Sequence, residues 1–317
     1  MTDNNSTPSI ITIGNALLDH TYKLSNLPEP DGGAYILDYT TQPGGVEMNV
    51  AALLGALGHD TGIITKLGDD DDGKQVKAHL NDIGIDCSRL RIDQDVRTMY
   101  CLVLMDNSGQ RMILGGGNSL EGLTLSDPDF QYLRKANAIF VSAYTPLSVI
   151  NSVIDRVTWC PIVFDLAGSF TDLSHRGFTR DNMKDIINGV DILITNHSAA
   201  ESLLETDCEP NRLAQELRKI GASVGAITSG NEGAVVFDNS QTLDISALSI
   251  DVTDTTGAGD AFTAGFMHSY IIDDQSLEKA GQFATTYAGL NCQREGAHSN
   301  PPNLSAIEES LCTYFSR

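Results

Sequence analysis

The stretch DTTGAGDAFTAGF, Asp254 to Phe266, sets two glycines around an alanine, with an aspartate directly behind them at the head of an apolar run. Gly257 and Gly259 lack Cβ atoms, so their backbone can turn tightly and approach a bound group closely. The following AFTAGFMHSYII reads as a helix, whose first N–H groups have no intrahelical partner and lie at the positive end of its dipole. Such a terminus holds anions. Asp260 at its mouth can accept a proton from a hydroxyl nucleophile. The plainer reading makes Asp260 a helix-start carboxylate worth about 0.5–2 kcal/mol, and on the turn alone both readings stand. No Gly-Lys-Ser/Thr follows, so this is not a Walker A loop, and the third glycine of a dinucleotide fingerprint is missing.

Three other stretches carry residues of the same kind. PGGVEMNVAALLGALG, from Pro43, pairs Gly44 and Gly45 with Asn49; GNALLDH, from Gly14, ends on Asp19 and His20; TSGNEG contributes Thr228, Gly230 and Gly233. With VTDTTGAGDAFTAGF, these motifs resemble the ribokinase (PfkB) family of carbohydrate kinases over nearly the whole chain. The late stretch is similar to the family's C-terminal signature, PGGVEMNVAALLGALG to its N-terminal signature, and GNALLDH to the opening segment that carries a substrate-binding aspartate.

The resemblance implies an α/β, ribokinase-like fold: one domain over residues 1–317, a mostly parallel central sheet with helices on both faces, and a small β-sheet lid. It implies phosphoryl transfer from ATP, with Mg2+, to a hydroxyl of a ribose- or fructose-like sugar. Asp260 would be the general base, and the backbone of Gly257, Ala258, Gly259 and Asp260 the anion hole. Asp19, Gly44, Gly45 and Asn49 would bind substrate. Asn196, Thr228, Gly230 and Gly233 would serve the nucleotide, and Asp254 with Thr256 a potassium ion. A nucleoside kinase of the same family is the alternative, and a catalytically silent sugar-binding relative the second alternative. A homodimer paired through the lids is expected.

Three departures from the family pattern bear on this. Asn196 is followed by Ala199 where Asn-x-x-Glu is usual, and Glu201 lies two residues beyond, pointing elsewhere on a helix. Magnesium would then be carried by water and phosphate oxygens, or Glu201 would contribute indirectly. Glu47 follows the glycine pair where many ribokinases carry lysine; facing inward it would disfavour an anionic substrate, whereas it could equally face solvent. Ser229 stands where Leu is common, a change that leaves the turn intact.

The elements that must position these residues follow from periodicity. SIITIGNALL and TGIITKLG read as buried strands, and ANAIFVSA, CPIVFDL, VDILITN, VGAITSG and GAVVFD as short apolar strands between helical segments or turns. That alternation predicts a mostly parallel sheet with ligands at the strands' carboxyl ends: Gly14-Asn15, Asp165, Asn196 and Thr228-Ser229-Gly230. VEMNVAALLGALG and DDDDGKQVKAHLNDIG read as helices. Two segments, about 21–42 and 97–118, break the rhythm and read as the lid, the second as a hairpin turning at Asn107-Ser108-Gly109.

The bulk composition excludes several classes. The 317 residues carry 42 Asp+Glu against 20 Lys+Arg, a net charge of −22. Such a charge opposes nucleic acid or an anionic membrane as partner and fits a halophilic surface kept hydrated in concentrated salt. The six cysteines form no CxxC pair, so reduced thiols are expected. No apolar run is long enough to span a membrane. The opening MTDNNSTPS lacks the features of a signal peptide. A cytoplasmic enzyme is the expectation.

Overall fold

The computed structural model describes residues 8–108 and 110–315. The apolar runs assemble into an eight-stranded sheet in the order Thr242–Ile245, Ala234–Phe237, Val224–Thr228, Ile192–Asn196, Ile162–Asp165, Ala138–Ser142, Ile10–Ile13, Thr61–Ile64. Neighbours are parallel from Thr61–Ile64 to Val224–Thr228, and Ala234–Phe237 runs against both its neighbours. Both faces are covered. Ile10, Ala138, Phe140 and Val163 pack with the helices Val46–Ala56, Ala258–Phe266 and Leu277–Cys292. Ile11, Ile13, Ile139 and Val141 pack on the other side with Leu147–Arg156, Arg180–Gly189 and Pro210–Ile220. Burial on both faces is why these strands read as unbroken apolar runs rather than alternating ones.

The chain leaves Ile10–Ile13 towards Thr61–Ile64 on one side and later returns to Ala138–Ser142 on the other. Ligand crevices form where the strand order reverses in this way. The predicted strand ends line this edge.

A second sheet has the order Ile36–Gly44, Leu17–Leu24, Tyr100–Met105, Arg111–Gly116. Its strands come from the two segments that break the α/β rhythm, but the first begins earlier than predicted. Asp19 therefore lies within a strand, opposite Gln42 and Cys101, and Gly44 closes the second strand opposite Leu17. Gly109 of the hairpin lies outside the described residues, while Met105 and Arg111 on either side of it are paired. TGIITKLG is two strands: Lys66–Gly68 leaves the main sheet to pair with Arg91–Asp93.

The predicted helix DDDDGKQVKAHLNDIG spans Asp71–Asp82, capped by the Asp70 side chain accepting the Gly73 N–H. The helix behind the Gly-rich turn starts at Ala258, two residues before Asp260, and continues from Met267 to Ile272 as a π-helix. All six cysteines are free thiols. No helix among the described residues is long and apolar enough to cross a membrane.

Candidate active site

Two helices begin face to face at the sheet's carboxyl edge. Gly45, at φ +106°, opens Val46–Ala56, and Gly257, at φ +74°, opens Ala258–Phe266. Positive φ is easy only for glycine. A Cβ on Gly257 would also come within 2.6 Å of the Ala297 backbone, and one on Gly45 within 2.7 Å of the Asn15 carbonyl. Asn49, in the first turn of one helix, donates from Nδ2 to Asp260 Oδ2 in the first turn of the other, at 2.7 Å. Asp19 joins them, its carboxylate lying directly over the Gly44 backbone.

The N–H groups at the second helix start divide. Ala258 donates to the Thr255 carbonyl at 3.2 Å, which takes its amide out of the expected anion hole, and Ala261 closes onto Gly257 O. The amides of Gly257, Gly259 and Asp260 have no such bond among the described residues. A Cβ built on Gly259 meets nothing within 4 Å, so open space lies beside these donors.

Four carboxyls crowd this crevice. Burial, with the nearby charges of Glu47 and Asp19, pushes Asp260 up to about 7 despite the hydrogen bond from Asn49. Burial also raises Asp165 to about 7, helped by Asp260 and Glu47. Burial raises Asp19 to about 6. Glu47 resolves neither towards substrate nor towards solvent. It is fully buried, accepting from the Asn15 and Ser142 amides at 2.8 and 2.9 Å. Thr145 Oγ1 lies 2.9 Å from Glu47 Oε1 and 2.8 Å from the Ile13 carbonyl. Thr145 links Glu47 to the Ile13 carbonyl, and burial raises the Glu47 pKa against the hydrogen bonds it accepts from Ser142, Asn15 and Thr145. Glu47 thus ties the Gly14-Asn15 turn to the end of Ala138–Ser142.

The nucleotide candidates sit further along the same edge. Thr228 ends its strand, Gly230 at φ +58° opens a short 3-10 turn, and Gly233 at φ +101° closes it, with Ser229 N–H donating to Gly233 O at 2.8 Å. A Cβ on Gly230 would meet open space, and the buried Ser229 hydroxyl has no partner. An orphaned hydroxyl beside open backbone fits a bound nucleotide. The Asn196 side chain caps the helix His197–Leu204, its Oδ1 taking the Ala199 N–H and the Ser198 hydroxyl, each at 2.8 Å. Glu201 pairs with His197 on that helix at 3.4 Å. No cluster of three or more His, Cys, Asp or Glu able to hold a metal occurs among the described residues. Asp254 accepts from Thr256 N and Oγ1 and from Gly296 N. Burial opposes its ionisation, but these hydrogen bonds outweigh it and keep its pKa below the ordinary value.

Several site residues escape pattern reading. Asp165 and Asn15, whose buried Oδ1 has no partner, stand at strand ends that periodicity marks but does not rank. Arg176 stacks on Tyr144 at 4.7 Å, holds Asp172 at 3.1 Å, and reaches Gly115 of the small sheet. His298 binds Asn49, and nothing in its neighbourhood in the chain announces this.

Comparison with known proteins agrees with this geometry. Residues 7–304 match the model of the pfkB family of carbohydrate kinases. The chain is 28% identical over 313 residues to an ATP-dependent ribose-1-phosphate kinase of Halopiger xanaduensis, covering 96% of this chain and 99% of that protein. It is 25% identical to a nucleoside kinase of Methanothermobacter thermautotrophicus, covering 93% and 92%. The structure of Arabidopsis thaliana ribokinase complexed with ribose and ATP superimposes with a TM-score of 0.85 at 24% identity, covering 96% and 99%.

Proposed function

From the premise that this chain belongs to the pfkB family of carbohydrate kinases, and so is an ATP-using phosphotransferase with a sugar-type acceptor, we propose that Asp260 is its general base. The observation that carries this is Asp260 itself, half-buried, raised to about 7, and held through Oδ2 by Asn49 beside unpaired helix-start amides. A base with a pKa near working pH combines availability with driving force.

In the proposed reaction the acceptor hydroxyl gives its proton to Asp260 as its oxygen bonds to the γ-phosphorus. The bond from that phosphorus to the β,γ-bridging oxygen breaks, and ADP leaves. The amides of Gly257, Gly259 and Asp260 face the charge on the transferred group; Ala258 is left out by its bond to Thr255. Asp19, Asn49 and the bare backbone at Gly44 hold acceptor hydroxyls, whereas Gly45 is glycine because Asn15 presses on it. Thr228, Gly230 and Gly233 form the nucleotide turn, with the Ser229 hydroxyl as a donor. Asn196 shapes the phosphate end through its cap, and Mg2+, when bound, would be carried by the phosphates and water rather than by a protein carboxylate cluster. Potassium would sit beside the ionised Asp254 and the Thr256 turn. When bound, these ions supply charge neutralisation for the phosphates.

Two acceptor classes compete. A neutral pentose or hexose fits the carboxylate and amide set. A sugar phosphate is favoured by Arg176, whose charge reaches Cys101 beside Asp19, while the Glu47 oxygens are engaged in the core by Asn15, Ser142 and Thr145. One experiment tests the whole reading: ADP release with ribose, fructose, sugar 1- and 6-phosphates and nucleosides, for the wild type and Asp260→Asn. A loss in kcat of at least about 100-fold in that variant is expected. Near-wild-type turnover would remove Asp260 from its role. Sugar binding without ADP release in the wild type would return the catalytically silent alternative.

A further inference from the structure

Behind Asp260 runs a continuous line of hydrogen bonds that the phosphoryl-transfer machinery does not itself require. Asn49 Nδ2 lies 2.7 Å from Asp260 Oδ2, His298 Nδ1 lies 2.8 Å from Asn49 Oδ1, and His79 Nε2 lies 2.8 Å from His298 Nε2. An ionised Asp260 can only accept, so Asn49 turns its NH2 towards it and its carbonyl oxygen away. His298 must then donate from Nδ1. Burial, then the neighbouring His79, hold the His298 imidazole down to about 4, so the ring is neutral and carries one proton. Its Nε2 is therefore an acceptor, and His79 donates to it. Every proton in the line points towards Asp260.

We propose that His298, backed by His79, is a positioning residue that fixes the Asn49 amide and, through it, the rotation of the Asp260 carboxylate. Without a donor at Asn49 Oδ1, the amide loses one of the two contacts that distinguish its ends, and Asp260 alone must hold it. The flipped amide would set an oxygen against the carboxylate. With the line intact, Oδ2 is engaged and Oδ1 is left for the acceptor hydroxyl. The line also ends on the helix that meets the small sheet. His79 lies on the helix Asp71–Asp82, and that helix holds the small sheet through Asp72 Oδ2 and His20 Nε2 at 3.2 Å. Gln42 of the same sheet bonds Ser299, the residue after His298. The base is thus oriented from the segment on which the small sheet rests.

The inference rests on Asp260 being the base, and the test separates the two. Steady-state ADP release would be measured for His298→Leu, His298→Gln and Asp260→Asn, each with its melting temperature. A buried Leu keeps bulk but removes both hydrogen bonds, so kcat should fall about 10- to 100-fold with KM for ATP within about 3-fold. Gln offers a donor and an acceptor on one amide and should restore kcat to within about 5-fold of wild type. If His298→Leu does not fold, His79→Leu reads the same line from its half-buried outer end, with a kcat loss of about 3- to 10-fold expected. An inactive Asp260→Asn beside a fully active His298→Leu, or an equal loss in the Leu and Gln variants, overturns the positioning role. A fully active Asp260→Asn instead overturns the base assignment beneath it.

Discussion

Asp260 owes its chemistry to neighbours rather than to its own position on the helix. Burial raises its pKa, Glu47 and Asp19 add to the rise, and Asn49 alone pulls it down. The acid limb of kcat/KM reports the free enzyme, so activity should fall as pH drops through about 7 and the carboxylate takes up a proton. Asn49→Ala removes a hydrogen bond to the ionised form, so the limb should move up, by about 0.5–1 pH unit. Its position is the readout, because Asn49 is also proposed to meet substrate; a limb that stays put or moves down would dissociate Asn49 from Asp260. Asp165, raised to the same value beside Asp260, titrates with it, and the limb belongs to the pair. These carboxyls also cost stability. Their folded pKa values lie above the ordinary 3.8, so folding is favoured below that pH and loses this support as pH rises to about 7.

At the scale of elements, the small sheet is the part whose surface is unfinished. Its outer strands and the residue before the first of them expose Tyr35 (82%), Ile36, Leu37, Tyr39, Met112, Ile113 (56%) and Leu114. Every residue from Arg111 to Gly115 is exposed, so this strand has neither a covered face nor a paired outer edge. Edge strands of this kind invite pairing with another chain, and exposed apolar patches mark interaction sites. Two copies related by a twofold axis would cover both sheets at once. Light scattering should therefore give twice the 34.0 kDa chain mass at assay concentration. Ile113→Lys should shift the species towards the monomer and raise the sugar KM. A wild-type monomer with full activity would defeat the dimer.

At the scale of the whole molecule, 42 acidic against 20 basic side chains leave a net charge of −22. Ion pairs recover little of that imbalance, since many lie at the surface, such as Lys74 with Asp71 and Arg156 with Asp127. Self-repulsion is screened by salt. If the charge is an adaptation to brine, the melting temperature should climb by more than about 10 °C between about 0.1 M and 2 M KCl. A flat response would sink the halophile reading. An equal rise at millimolar potassium would instead assign the effect to the loop held by Asp254.

The chain itself determined everything that depends on neighbours in sequence. Short β-branched runs between turn residues specified the strands, and Gly257, at φ +74°, specified a turn only glycine enters easily. That turn and the Gly44-Gly45 pair marked the two helix starts and the family. The resemblance also singled out Asp19, Asn49 and Asp260, which the fold brings to one crevice. Local pattern misplaced the start of the helix at Ala258, because the first turn of a helix is set by what its amides bond to, here Thr255. It left Glu47 open between pocket and solvent, because neither burial nor its donors are local properties. Asn49 and Asp260 are 211 residues apart, and His298 and Asn49 are 249 apart. Contacts at such separations have no periodicity to betray them. Only the packing of two helix starts against one sheet edge brings those side chains within hydrogen-bonding distance, and the same burial sets their protonation.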